Sequence, residues 1–420
     1  MTSVANEPWF RDRKLQAVLA ILNRDGGEAR VVGGAVRNSL MGIPVSDMDI
    51  ATTLPPEEVA RRVEEGGFKS VPTGLQHGTV TVVVEGVPFE VTTLRRDVAT
   101  DGRHAEVEFT DDWRADAERR DLTINALYAD AKGEVHDYVG GLPDIESSTI
   151  RFIGEASRRI EEDYLRILRF FRFFAYYGKG RPDPEGLKAC AAARSKLGQL
   201  SAERVWSETR KLLSAADPFR ALLWMRTAGV LTEILPETEK WGIDAIPSLI
   251  EAERRFGWTP EPMLRLAAIV PPDAGRLSAM AERLRMSGAE RQTLMDYANY
   301  PQLNRDVSGP KLRALFYRHG VQGAVMRARL GIANLVGKGD DADNLSGIAA
   351  FNSILETALG WQKPQMPVKG GDLIAAGMPA GPKIGETLSR LEDQWIESDF
   401  RLGREELLAA LAKLDKDQPG

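Results

Sequence analysis

Cysteine is nearly absent from this 420-residue chain: Cys190 is the only one. That excludes an internal disulfide framework and any cysteine-based zinc site, and it fits a reducing compartment. Histidine is almost as scarce. His77, His104, His136 and His319 are scattered, so a histidine-rich metal site is not expected. His136-Asp137 has no partner cluster and reads as surface rather than as a phosphohydrolase centre. No apolar run approaches the ~20 residues a membrane span needs, so no membrane partner is expected. The opening MTSVANEPWFRDRKL lacks a signal peptide's apolar core and a transit peptide's long acid-poor stretch, which makes the cytoplasm the expected location.

Net positive charge is lacking too. The formal balance is −6, which on average argues against a nucleic-acid partner. The average hides a gradient. Residues 151–215 hold fourteen Lys or Arg against eight Asp or Glu, a local +6, and the remainder is −12. A local basic surface is what phosphate contacts require.

What is present is an ordinary globular composition, 43% hydrophobic and 28% charged, in a chain too long for one core. The first ~150 residues mix strands and helices. ARVVGG reads as a strand ending in a glycine turn, and AVRNSLM as a short helix closed by Gly42. MDIAT reads as a strand and PPEEVARRVEEGG as a helix. GTVTVVV and VPFEVTTLR alternate, with Glu85-Gly86 as a hairpin turn. The fold class is therefore α+β, with a mixed, mostly antiparallel sheet. After Arg151 helical periodicity takes over to the end. We expect a catalytic head over 1–148, a helical neck over 149–215, a helical body over 216–360 and a helical tail over 361–420.

Two aspartates mark the candidate site. On a strand, Asp47 and Asp49 would project from one face a few ångströms apart. Adjacent carboxylates repel unless a cation sits between them, and hard oxygen ligands favour Mg²⁺. A turn Asp beside a surface Asp is the plainer alternative. Gly33 and Gly34, between a strand and a helix, offer bare backbone N–H groups to phosphate, and Arg37 adds charge one turn on. Glu90, on a neighbouring strand, is the candidate third carboxylate; a solvent-facing strand Glu is its alternative.

These segments resemble the class II nucleotidyltransferases, the tRNA CCA-adding enzymes and bacterial poly(A) polymerases. The likeness runs from GGAVRNSLMG and SDMDIATT through TGLQHGTVTV, FEVTTLRRD, TDGRHAEVEF and AERRDLTINALYAD to EEDYLRILRFFRF and SAERVWSETRKLL. The tail stretch GGDLIAAGMPAGPKIGETLSRLEDQWI is similar to the C-terminal part of CCA-adding enzymes. The resemblance implies a polymerase-β-like head with neck, body and tail in a seahorse shape. It also implies untemplated transfer of C, C and A from CTP and ATP to tRNA 3′ ends. On it, Asp47 and Asp49 would be Mg²⁺ ligands. Gly34, Arg37 and Arg120 would meet the triphosphate, and Asp121 and Asn125 the ribose. One departure is visible: the family usually has Asp where Asn38 stands. If that Asp makes a local hydrogen bond, Asn can substitute; if it pairs with an arginine, the support is weaker.

Asp163, Arg166, Arg169 and Arg172 are spaced by three. On a helix each step turns roughly −60°, so the first three would share a broad face that Arg172 begins to leave. A carboxylate beside a guanidinium presents an acceptor next to donors, the shape of a Watson–Crick edge. Asp163 could accept from the amino group of C or A, and Arg166 could donate to a ring nitrogen. U and G would face Asp163 acceptor to acceptor. The resemblance assigns these two that templating role; a surface ion pair is the alternative. Leu165, Ile167, Leu168, Phe170, Phe171 and Phe173 read as core. Asp97 to Phe109 reads as a mobile loop, which the resemblance links to the switch from C to A. Arg204, Arg210 and Lys211 could face the nucleotide, RNA or solvent.

The expected reaction is attack of an RNA 3′-hydroxyl on the α-phosphate of CTP or ATP with two Mg²⁺ ions. A poly(A) polymerase or a split-function A-adding or CC-adding enzyme is the near rival. CCA addition is favoured because TGLQHGTVTV lacks the basic GRRF-like run of the polymerase branch. A non-catalytic RNA binder would lose the metal ligands. The sequence carries no signal for a particular oligomeric state.

Overall fold

The computed structural model describes residues 2–74, 78–101, 104–239, 242–307 and 309–414, with backbone alone for 97–101, 104–107 and 411–414. The chain divides into two compact units, 1–239 and 240–420.

The first unit is built on seven strands: β1 (Ala29–Val32), β2 (Asp49–Thr52), β3 (Lys69–Gly74), β4 (Thr79–Val84), β5 (Val87–Thr93), and two more after the hairpin described below. Alternation makes the β4–β5 hairpin one-sided. Val80, Val82 and Val84 of β4 point inward between half-exposed neighbours, and Phe89 and Val91 continue that face on β5. Glu85 and Gly86 both take positive φ, +48° and +81°, as a tight two-residue hairpin requires. Helices α1 (Arg13–Leu22), α2 (Gly34–Leu40) and α3 (Pro56–Glu65) pack against these strands. Prolines at the start of α3 and glycines after it fix its ends as expected.

Residues 97–101 and 104–109 are strand and not loop. β6 (Arg95–Asp101) and β7 (His104–Phe109) form a separate two-stranded antiparallel ribbon, with Arg95 opposite Phe109. Its first strand, RRDVATD, shows little hydrophobic alternation, so the segment reads as loop from the sequence. Gly102 and Arg103 lie outside the described residues. Next come α4 (Trp113–Glu118), β8 (Leu127–Ala129), β9 (Val135–Asp137) and α5 (Gly141–Glu146). The full sheet order is β3-β4-β5-β2-β1-β8-β9. Every pairing is antiparallel except β2 with β5.

From residue 150 on, this unit is helical: α6 (Ala156–Glu162), α7 (Leu165–Tyr177), α8 (Pro184–Ala193) and α9 (Ala202–Leu213) lead it. The apolar residues of α7 are core, with Ile167, Phe170 and Phe171 at 0% exposure and Phe170 stacked on Phe152. The second unit is all helix. One cluster gathers Tyr300, Leu312, Phe316 and Ile354, and another Leu373, Leu391, Trp395 and Leu407. Among the described residues no helix is long and apolar enough to cross a membrane.

Candidate active site

Three strand ends build the site. Val32, last in β1, pairs with Asp49, first in β2. β5 runs parallel to β2 with Ile50 beside Val91. Asp49 and Glu90 each precede one of that pair, so they lie side by side on one face. The chain leaves β1 into Gly33, whose φ of +71° needs glycine, and α2 begins at Gly34.

Asp47 is placed differently from expectation. It stands two residues before β2, in irregular exposed backbone, and accepts from the Ser46 hydroxyl at 3.0 Å. Ladder pairing starts at Asp49, so the alternation argument does not reach Asp47. Electrostatically the acids remain a group. Burial, then the charges of Glu90 and Asp47, push Asp49 above the ordinary carboxylate value, and Arg120 opposes them. Among the described residues none of the three forms a salt bridge, and no three acidic, His or Cys side chains close into a ready metal cluster. Unneutralised carboxylate oxygens of this kind suit a hard divalent cation, which nucleotidyltransferases generally use.

A cleft of about 710 Å³ opens beside them, lined by Gly33, Gly34, Arg37, Asp49, Glu90, Arg119, Arg120, Asp121, Asn125, Asp163, Arg166, Arg169 and Arg204 among others. Arg37 is 7% exposed, and burial lowers its pKa. Its guanidinium donates to Asn125 Oδ1, to Asn38 Oδ1 and to the Tyr177 hydroxyl, and lies over the Tyr177 ring at 4.2 Å. Its hydrogen-bond partners are therefore neutral. Asn38 also donates to the Pro44 carbonyl at 3.2 Å, a bond that Asp could not make. Burial alone would raise Asp121. Arg169 at 2.6 Å, Asn125 and the Leu122 N–H reverse this and hold it below the ordinary value.

The helix expected to carry Asp163 breaks there. Asp163 is extended, at φ −157° and ψ 108°, and its Oδ1 accepts from Leu165 N as α7 begins. A capping aspartate favours an end over a helix interior, so the spacing-by-three argument holds for Arg166, Arg169 and Arg172 only. Asp163 and Arg166 still both line the cleft, but they pair elsewhere. Asp163 Oδ2 accepts from Arg204 of α9 at 2.7 Å, and Arg166 donates to Glu162 and to the Arg159 carbonyl. Arg172 does not line the cleft. It donates to Glu208 of α9 at 2.6 Å and covers the Phe173 ring, bracing α7 on α9. Arg210 and Lys211 do not line it either.

Sequence reasoning passed over Asp116 and Arg119. Asp116 is 1% exposed and receives Arg119, Arg120 and the Tyr128 hydroxyl. Burial opposes its charge, yet the two arginines and Tyr128 bring it down to about 2. The signal was available: an acid followed three and four residues later by arginines.

The chain is similar to known proteins over most of its length. The "Poly A polymerase head domain" family model matches residues 29–151, and "Probable RNA and SrmB- binding site of polymerase A" matches 181–241. The mitochondrial CCA tRNA nucleotidyltransferase 1 of Mus musculus is 34% identical over 412 residues, covering 95% of this chain and 90% of its own. The CCA-adding enzyme of Bacillus subtilis is 41% identical over 50% of this chain and 52% of its own. The crystal structure of Bacillus stearothermophilus CCA-adding enzyme in complex with CTP superposes with a TM-score of 0.69 at 26% identity, covering 96% of this chain and 97% of that one. Likeness at that level over nearly the whole chain, with acids and arginines facing one cleft, makes this protein a member of the CCA tRNA nucleotidyltransferase family and a nucleotidyltransferase enzyme.

Proposed function

We propose that this cleft adds C, C and A to the 3′ end of tRNA from CTP and ATP, without a nucleic-acid template and with release of pyrophosphate. One observation carries the reading. The same cleft has carboxylates on the sheet strands, Asp49 and Glu90, and an acid and an arginine, Asp163 and Arg166, at the junction of α6 and α7. Gly33, Gly34, Arg37 and Arg120 bind the triphosphate, and Asp121 and Asn125 position the ribose. Asp163 accepts from the amino group of C or A while Arg166 donates to the neighbouring ring nitrogen. Arg204 orients Asp163, and Glu162 orients Arg166. Arg169 supports Asp121, and Arg172 braces α7.

Asp47 and Asp49 would hold Mg²⁺, with Glu90 beside them, and bound metal would supply Lewis-acid activation of the 3′-hydroxyl and charge neutralisation at the phosphates. Arg37 and Arg120 offset charge that builds on the phosphate oxygens. The segments 1–148, 149–215, 216–360 and 361–420 serve as catalytic head, neck, body and tRNA-binding tail, and the protein works in the cytoplasm.

The test uses tRNA transcripts ending before CCA, after C and after CC, with each labelled nucleoside triphosphate in turn. Two C and then one A, with UTP and GTP refused, is the expected outcome. Long A tails on any RNA would make it a poly(A) polymerase. Arrest at CC, or A addition only from CC, would make it a split-function enzyme.

A further inference from the structure

Asp116 sits on α4 beneath the arginine side of the cleft and does not itself line it. Its Oδ1 accepts from Nε and Nη2 of Arg119 at 2.8 and 2.6 Å. Its Oδ2 accepts from Nε and Nη2 of Arg120 at 3.1 and 3.0 Å, and from the Tyr128 hydroxyl at 2.8 Å. Positions three and four along a helix fall on the same side, so one carboxylate meets two guanidiniums. Both guanidiniums line the cleft. Among the described residues the Nη1 of each has no hydrogen-bond partner. Two positive charges thus share one negative, and their uncommitted N–H groups remain for an anion.

We infer that Asp116 is a positioning residue for the phosphate end of the nucleotide, holding Arg119 and Arg120 as a preorganised fork for a polyphosphate. This rests on reading the cleft as a nucleoside triphosphate site. Without Asp116 the two guanidiniums repel each other and lose the acceptor that fixes their orientation. Each would then be ordered only when the anion arrives, and affinity falls by that cost. The fork acts on phosphate and not on base, so C and A addition suffer equally.

The test is Asp116→Asn in the full-length protein, titrated calorimetrically with inorganic tripolyphosphate and assayed with CTP and ATP. Tripolyphosphate affinity is expected to fall by about tenfold or more, since charge-assisted bonds are lost. The KM values for CTP and ATP are expected to rise by a common factor, with UTP and GTP still refused. Asp116→Glu keeps the charge and restores part of the affinity. A folded Asp116→Asn protein with unchanged tripolyphosphate affinity overturns the inference, as does a KM change confined to one nucleotide. If Asp116→Asn does not fold, Arg119→Gln carries the test, because Asp116 keeps Arg120 and Tyr128; unchanged tripolyphosphate binding there also overturns it. Asp116-dependent tripolyphosphate binding in a protein that adds no nucleotide would sink the transfer reading and support the fork.

Discussion

Each unit of the molecule buries charge, and the two do so differently. In the second unit, Arg265 is 0% exposed and donates from Nε and Nη2 to the two oxygens of Glu253 at 3.0 and 2.6 Å. The two charges face each other bidentately inside a helical core. In the first unit, Asp116, Asp121 and Arg37 are almost as deeply buried, but their networks open on a cleft. Asp116 is shared by two arginines, and Arg37 rests on neutral acceptors. A buried bidentate pair away from the cleft holds helices in register. An open network with surplus positive charge is incomplete until an anion fills it, and across the cleft the acids are incomplete in the opposite sense.

The largest expected effect tests the acids. Asp49→Ala should cut nucleotide incorporation on the order of a thousandfold or more, comparable to removing a main electrostatic group from an active site. tRNA affinity, measured by filter binding, should stay near wild type. Lost affinity with residual turnover would mean that Asp49 serves structure, and the contrast between the units would fail.

The closed pair should behave in the reverse way. Arg265→Met leaves Glu253 buried and unpaired, which costs roughly 3–5 kcal/mol, whereas Arg265→Met with Glu253→Leu should recover most of it. Denaturant unfolding of the second unit's transition reads both. If the single variant unfolds like wild type while KM for CTP changes, this pair is not purely architectural.

pH separates the open network from ordinary surface acids. Asp116 falls from 3.8 in the unfolded chain to about 2 in the fold, so the folded state prefers its ionised form. Its contribution is present above about pH 4 and is lost as pH falls toward 2. A shift of that size is worth about 2 kcal/mol. The stability gap between wild type and Asp116→Asn, measured by thermal melting, should therefore be level near neutrality and narrow below pH 4. A gap that does not change down to pH 2 would mean that Asp116 is not ionised in the fold.

The strands were legible because β4 and β5 alternate and Glu85-Gly86 marks their turn, and the core of α7 because leucine, isoleucine and phenylalanine crowd one helix. The break at Asp163 was not, since the same side chain can sit on a helix or cap its start, and packing of α7 against α9 decides. The two-stranded ribbon was hidden because its first strand, RRDVATD, is charged and shows little alternation. The site residues followed the motifs, but their pairing partners come from elements distant in sequence: Asp163 with Arg204, Asp121 with Arg169, Arg172 with Glu208. Spacing rules read neighbours on one helix; they do not read a partner 36 to 48 residues away.

The smallest effect falls on Asn38, where the two kinds of network can be interconverted by one atom pair. Asn38→Asp would place a carboxylate against Nε and Nη2 of Arg37, converting a cation held by neutral groups into one held by a carboxylate, as Glu253 holds Arg265. The half-buried bond becomes charge-assisted, a gain of about 1 kcal/mol, and the donor to the Pro44 carbonyl is lost, which returns part of it. Burial currently disfavours the Arg37 charge, so the carboxylate should raise the melting temperature by a few degrees. The same carboxylate offsets the charge that faces the triphosphate, and KM for both CTP and ATP should rise about threefold at low salt, with less difference at high salt. A lower melting temperature together with a lower KM would show that the Pro44 tether, and not the surplus charge of Arg37, is what Asn38 contributes.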